Sequence, residues 1–251
     1  MHISDGILPV PLWIGGYGIT ALLTGYSLRV CQQGSRFKPE SAQGFAEHNP
    51  RRQLPKAALL TAAFFVASSI HLPIPPASVH FLLNGLVGLL LGPLAYPAIV
   101  VGLFFQVVAF GHGGLTTLGI NAAIMGIPAL LAGGLFRVGC RGLGTGIPAF
   151  LAGVVGAGLA VLLFYGVVIA GLSGSTLLAT EAERLATGTL VLAHIPVIGL
   201  EGLFTSWVVL FLQRVQPDLL ADSLPQPSWE APDLQPTQAE PTLTHSGYGK
   251  G

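Results

Sequence analysis

Apolar residues along this chain gather into long runs, and polar residues are concentrated in the breaks between them. A bilayer core takes about 20 mostly apolar residues per helix, so each run of that order predicts a membrane-crossing helix. Pro11–Val30 is the first, and a polar, basic stretch from Gln32 to Lys56 follows it. Ala57–Ile70 is shorter and stops before Pro73, Pro75 and Pro76, because proline cannot continue a helix. Leu118–Phe136, Ile147–Leu172 and Leu190–Leu212 are the later candidates, with a polar connection from Ser173 to Gly188. Past Gln213 the chain is rich in Pro, Gln, Asp, Glu and Ser. With little to bury, residues 215–251 are expected to form a disordered cytoplasmic tail.

The long run Phe81–Gly111 breaks at Gly92-Pro93 and reads as one kinked span or two short ones. Basic residues decide between them. Two spans give seven in all, with the N-terminus outside. Arg29, Arg36, Lys38, Arg51, Arg52, Lys56, Arg137, Arg141 and Arg214 then lie inside and Arg184 outside, while Lys250 is too far along the tail to weigh. One span would move Arg137, Arg141 and Arg214 outside. Cytoplasmic loops carry the excess of Lys and Arg, so seven spans and a cytoplasmic C-terminus are expected. The difficulty is His80–Gly92, which as a helix reaches only about 20 Å at 1.5 Å per residue. That helix must be short or enclosed by protein. This topology puts His2, His71, His80 and His112 on one aqueous face.

Composition supports the class. The chain is 51% hydrophobic and 9% charged, against about 25% charged in soluble domains. Its 34 glycines and 19 prolines suit membrane helices, and the mean hydropathy is +0.70. The fold expected is an all-α integral membrane protein, with residues 1–214 as the helical domain. Zero formal net charge implies no nucleic-acid partner. Cys31 and Cys140 fit neither a disulfide framework nor a paired metal motif.

The first two residues carry chemistry. No basic region precedes the first apolar run, so no cleavable signal is expected, and a large second residue favours retention of Met1. The Met1 α-amine, the His2 backbone nitrogen and the His2 Nδ1 can then chelate one metal through a five- and a six-membered ring. These are three corners of a square. Nickel(II) and copper(II) favour such nitrogen planes, whereas zinc prefers a tetrahedron. One further histidine would complete the plane.

The opening Met1-His2-Ile3-Ser4-Asp5-Gly6-Ile7-Leu8 resembles that of the CbiM/NikM family, the substrate-capturing membrane subunits of nickel and cobalt transporters of the energy-coupling factor type. Ile74-Pro75-Pro76-Ala77-Ser78-Val79-His80, with Gly85, Gly88 and Gly92-Pro93 beyond it, is similar to the family's second metal loop. Gly111-His112-Gly113-Gly114-Leu115-Thr116-Thr117-Leu118-Gly119-Ile120-Asn121 is similar to its third signature. Met125-Gly126 and Ala193-His194-Ile195-Pro196 with Glu201-Gly202 match further positions. The resemblance covers residues 1–214. It implies seven helices, and a metal held by the Met1 amine, the His2 amide nitrogen, the His2 imidazole and the His80 imidazole. It also implies a transmembrane coupling subunit (CbiQ/NikQ-like), ATPase subunits (CbiO/NikO-like), a small accessory subunit (CbiN/NikN-like) and a prokaryotic inner membrane. The Gln32–Pro55 loop and the polar tail depart from the pattern.

Around this set, His71 reads as an alternative ligand or an interfacial residue, and His112 as a group orienting a ligand or a simple loop residue. Asp5 reads as a support for His2 or a cap for the first helix. Asn84, Gln106, Asn121 and Glu201 are polar groups inside apolar runs and need partners there; His194, two turns away, is the candidate partner for Glu201. Ala57, Ala58, Ala62, Ala63 and Ala67 form a small-residue face on the second span that suits close helix approach, within the chain or to the coupling subunit. The chain has no phosphate-binding Gly-x4-Gly-Lys-Ser/Thr loop, so it is not expected to be an enzyme or to need an enzymatic cofactor. The expected cargo is nickel(II), with cobalt(II) for cobalamin synthesis as the near alternative. A vitamin-binding capture subunit and an intramembrane metalloenzyme are the rivals from other classes. The His2 chelate argues against the first, and the lack of a His-Glu-x-x-His motif against the second.

Overall fold

A computed structural model describes residues 2–36, 50–74, 77–174, 181–220 and 223–224. Met1 and the 37–49 and 225–251 segments lie outside this set. The fold is helical as expected: α1 (Val10–Arg36), α2 (Pro50–Ser69), α3 (Asn84–Leu91), α4 (Ala95–Phe110), α5 (Leu118–Gly139), α6 (Gly146–Gly174) and α7 (Glu181–Val215). One regular exception lies between α2 and α3. There β1 (His71–Ile74) and β2 (Ala77–His80) form an antiparallel hairpin whose register pairs His71 with His80. The prolines that stop α2 favour an extended chain, which lets this connection pair with itself.

Four helical stretches among the described residues are long and apolar enough to cross a membrane: Asn84–Phe110, Leu118–Gly139, Gly146–Gly171 and Gly188–Val215. The first does not run straight. Its two ends meet at the N-terminal segment, because the His80 ring stacks on His2 and Gly113 lies against the His2 Cβ. The chain therefore reverses at Gly92, and the Phe81–Gly111 run is two legs instead of one kinked span. Gly92 makes the turn at φ +54, a backbone state that suits glycine. Its outer surface faces the Arg137 guanidinium at the far end of α5.

The first leg, α3, has 8 residues and spans about 12 Å at 1.5 Å per residue, too little for a bilayer core. All of its residues are buried. Gly85 permits this, since a Cβ there would come within 2.8 Å of the Gly153 Cα on α6. Backbones approach so closely only where both helices carry small residues. Asn84, also fully buried, donates from its amide to the Gly156 carbonyl at 3.0 Å and the Met125 carbonyl at 3.3 Å. It ties α3 to α6 and α5 in a region where water would not satisfy it.

Packing continues past α7. Leu220 is fully buried in the cluster that holds Phe136 and Val209, and the Lys56 ammonium donates to the Leu219 carbonyl at 2.5 Å. Leu219 and Leu220, beyond residue 214 where the expected helical domain ends, thus pack on the helices, because Leu220 supplies an apolar side chain.

Candidate metal centre

Three tethers build the site, each from a polar side chain on a helix to a backbone segment beside a histidine. The first is Asn121, on the opening turn of α5. Its Oδ1 accepts the Ile3 N–H at 3.0 Å and its Nδ2 donates to the Ile3 carbonyl at 3.0 Å. The Thr117 hydroxyl adds a second donor to that carbonyl at 2.6 Å. Ile3 is buried in the main apolar cluster. The residue next to His2 is therefore fixed on both sides of its Cα.

The second tether is Asp5. Its carboxylate accepts the Thr116 hydroxyl at 2.5 Å, the Thr116 N–H at 2.9 Å and the Leu115 N–H at 3.2 Å. The hydroxyl bond foremost, with the N–H groups behind it, holds this carboxyl below the usual carboxylate range. Asp5 thus clasps the loop entering α5, and of the two expected roles the capping of α1 is not what it performs. Gly113 and Gly114 allow the close fit; a Cβ on Gly114 would come within 2.6 Å of the Asp5 nitrogen.

The third tether is Glu201, fully buried on α7. Its carboxylate accepts the N–H groups of Leu82 and Leu83, the latter at 3.0 Å. Leu83 sits at φ 50, a left-handed state that a branched residue rarely adopts. The paired hydrogen bonds hold that turn and so fix the chain two residues beyond His80. The Glu201–His194 pair expected from the sequence does not form. Glu201 uses both oxygens on the α3 approach, and the His194 Nδ1 bonds the Leu190 carbonyl at 2.7 Å.

These tethers bring His2 and His80 together, with ring centroids 5.3 Å apart and planes at 21°. His80 is 3% exposed. Its Nδ1 lies 3.1 Å from the Phe81 carbonyl. A proton there leaves the Nε2 lone pair as the donor, the arrangement that orients a metal-binding histidine. Among the described residues no three His, Cys, Asp or Glu side chains cluster as a metal site, and the described imidazoles that meet here are those of His2 and His80. His71 enters through its backbone pairing with His80. His112 lies on the loop that clasps Asp5, its ring 5.9 Å from Phe110.

On another face, Ala58 and Ala62 line an apolar groove between α2 and α4 with Phe65, Pro97 and Val101. Ala63 is exposed and Ala67 half-buried, and neither lines it. Sequence reasoning marked Asn121 and Glu201 as polar groups in need of partners. Their partners were not legible, because both bind main-chain groups of remote segments.

Residues 2–219 match the family described as CbiM, cobalt uptake substrate-specific transmembrane region. A Haemophilus influenzae protein named for metal transport is 33% identical over 223 residues, covering 88% of this chain and 97% of that protein. The fused nickel transport protein NikMN of Rhodobacter capsulatus is 34% identical over 185 residues, covering 68% of this chain and 53% of that protein. A crystal structure described as that of a transition metal transporter shares the fold, with a TM-score of 0.65 at 23% identity, over 86% of this chain and 93% of that one. A match of this extent, on a helical chain whose two histidine segments meet, means that the protein belongs to the CbiM family of cobalt-uptake substrate-specific transmembrane proteins.

Proposed function

We propose that this protein captures nickel(II), with cobalt(II) as the near alternative, on the extracytoplasmic face of the membrane. The metal is held by four nitrogens: the Met1 amine, the His2 amide, the His2 imidazole and the His80 imidazole. The observation that carries this reading is the stacked His2–His80 pair, one ring from the N-terminal segment and one from the end of β2, tied down by Asn121 and Glu201. Two side-chain nitrogens are too few to hold a metal tightly. The backbone amide and α-amine beside His2 supply the remainder without another residue. Nickel is favoured because a strong nitrogen plane suits its low-spin state and the geometry this donor set imposes.

The same reading takes the α-helices as seven membrane-crossing segments, with α3 crossing inside protein and the N-terminus outside. Arg137 beside the Gly92 turn then faces the cytoplasm, as the charge bias requires. Release to the inside is driven by partner ATPases of the energy-coupling factor type, through a coupling subunit seated on the Ala58–Ala62 groove of α2. The fused NikMN name of a relative supports a small accessory subunit as a further partner.

The test is the spectrum of nickel-loaded protein with an untouched N-terminus. A planar four-nitrogen field pairs the d⁸ electrons, so yellow-orange, diamagnetic protein is expected. A paramagnetic, octahedral spectrum would overturn amide coordination.

A further inference from the structure

At the far end of α3 from His80, several parts of the chain converge and enclose a cavity of about 280 Å³. They are the end of α1, the start of α2, the turn from α3 to α4, the last turn of α5 and the segment beyond α7. Arg137, Lys56, Gln53 and Ser223 give the cavity its polar wall, and Leu90 and Leu94 belong to its apolar one. Two cations thus share one hollow. No carboxylate is among the described residues that line it.

The segment beyond α7 is held in place to form that wall. Lys56 donates to the Leu219 carbonyl at 2.5 Å. The Ser223 and Leu224 N–H groups donate to the Leu220 carbonyl at 2.8 Å and 3.0 Å, and Leu220 is fully buried. This turn seats Ser223 at the cavity with 1% of its surface exposed. The Ser223 hydroxyl is buried and has no hydrogen-bond partner among the described residues, a costly state for a group that can donate. An oxyanion in the cavity supplies the missing acceptor. It also answers both cations, and the planar Arg137 guanidinium suits the paired oxygens of a phosphate.

Size and lining select the anion. The volume falls just below the roughly 300 Å³ at which pockets for whole small molecules begin, so it suits a headgroup. Leu94 lines both this cavity and the apolar groove between α2 and α4. One end of the hollow therefore adjoins a surface that suits an acyl chain, for which a soluble phosphate has no use. Basic pockets between membrane helices on the cytoplasmic side take anionic lipid headgroups. We infer that this cavity holds the phosphate headgroup of an anionic phospholipid, with Arg137 and Lys56 facing its charge, the Ser223 hydroxyl donating to it and its chains leaving past Leu94. Its placement in the cytoplasmic leaflet rests on the topology proposed above; the cavity itself does not.

The experiment uses full-length, metal-free protein stripped of lipid in a non-ionic detergent. Phosphatidylglycerol, phosphatidylcholine or inorganic phosphate is titrated in. Thermal melting is followed, and bound lipid is counted by mass spectrometry of the intact complex. Phosphatidylglycerol should bind and raise the melting temperature, and the other two should not. Arg137→Gln and Lys56→Gln should each weaken that binding about fivefold or more, the equivalent of the ~1 kcal/mol that one cation contributes beside anionic lipid. Lys56→Gln keeps an N–H for the Leu219 carbonyl, so it decides alone if Arg137→Gln does not fold. Arg141→Gln, at an exposed residue outside the lining, should bind like wild type. Equal binding of the two lipids would overturn the inference. So would inorganic phosphate matching phosphatidylglycerol, which would make this a site for a soluble anion. A lowered melting temperature in Arg137→Gln with lipid binding unchanged would make Arg137 structural and overturn it too. No nickel is present and detergent has no sides, so failure here leaves the four-nitrogen site and the topology to their own tests.

Discussion

Asn121 reaches Ile3 with both ends of its amide, so Asn121→Ala removes an acceptor and a donor from one buried peptide unit. A stability loss of about 1–3 kcal/mol is expected, with weaker nickel binding because His2 loses its fixed approach. A denaturation series and a nickel titration on the same preparation check both. Unaltered affinity would mean that His2 is oriented by something else. Asp5 gives a pH signature. The fold lowers its pKa, so its contribution is present above the unfolded value of about 3.9 and lost as pH falls through the lower folded value. Thermal melts should show Asp5→Asn below wild type near neutral pH, with the gap closing at acid pH. A gap that persists through acid pH would contradict the carboxylate clasp. At this scale the sequence conveyed residue types and missed partners. His2 and His80 were legible as candidate nitrogen donors, and the structure brings their rings together. That Glu201 serves Leu82 and Leu83 and not His194 was not, since side chain to main chain contacts across remote segments leave no spacing to read.

Among the elements, α3 is the piece on which the site depends. It is short and wholly enclosed, and its glycines let α5 and α6 close around it. Gly85→Leu would drive a side chain into the Ala152–Gly153 backbone, where even a Cβ meets the Gly153 Cα at 2.8 Å. Overpacking of this kind costs about 1–3 kcal/mol. A lowered melting temperature and reduced nickel binding are expected together, because α3 begins four residues after His80. A variant that melts and binds like wild type would show that α3 is not held as tightly as described. Charge bias favoured two legs where hydropathy alone leaves the run ambiguous, since lysines and arginines report on sides, and the structure separates α3 from α4 at Gly92. The β1–β2 hairpin escaped notice for the opposite reason. Pro73, Pro75 and Pro76 look like a break in structure, yet Pro73 lies within β1 and pairs opposite Ser78.

For the molecule as a whole, one account joins these parts. Apolar helices form a bundle, three polar tethers pin the N-terminal segment and the His80 loop into it, and in the proposed site the paired imidazoles complete a chelate with the Met1 amine and the His2 amide nitrogen. Its most direct test is nickel binding to two forms of the protein: one tagged only at the C-terminus, and one carrying a single extra residue ahead of Met1. The extra residue turns the α-amine into an amide and removes one corner of the plane, while the helices, Asn121, Glu201 and both histidines stay intact. The account expects the extended form to insert and fold normally, with nickel affinity largely lost. Equal affinity in the two forms would contradict it.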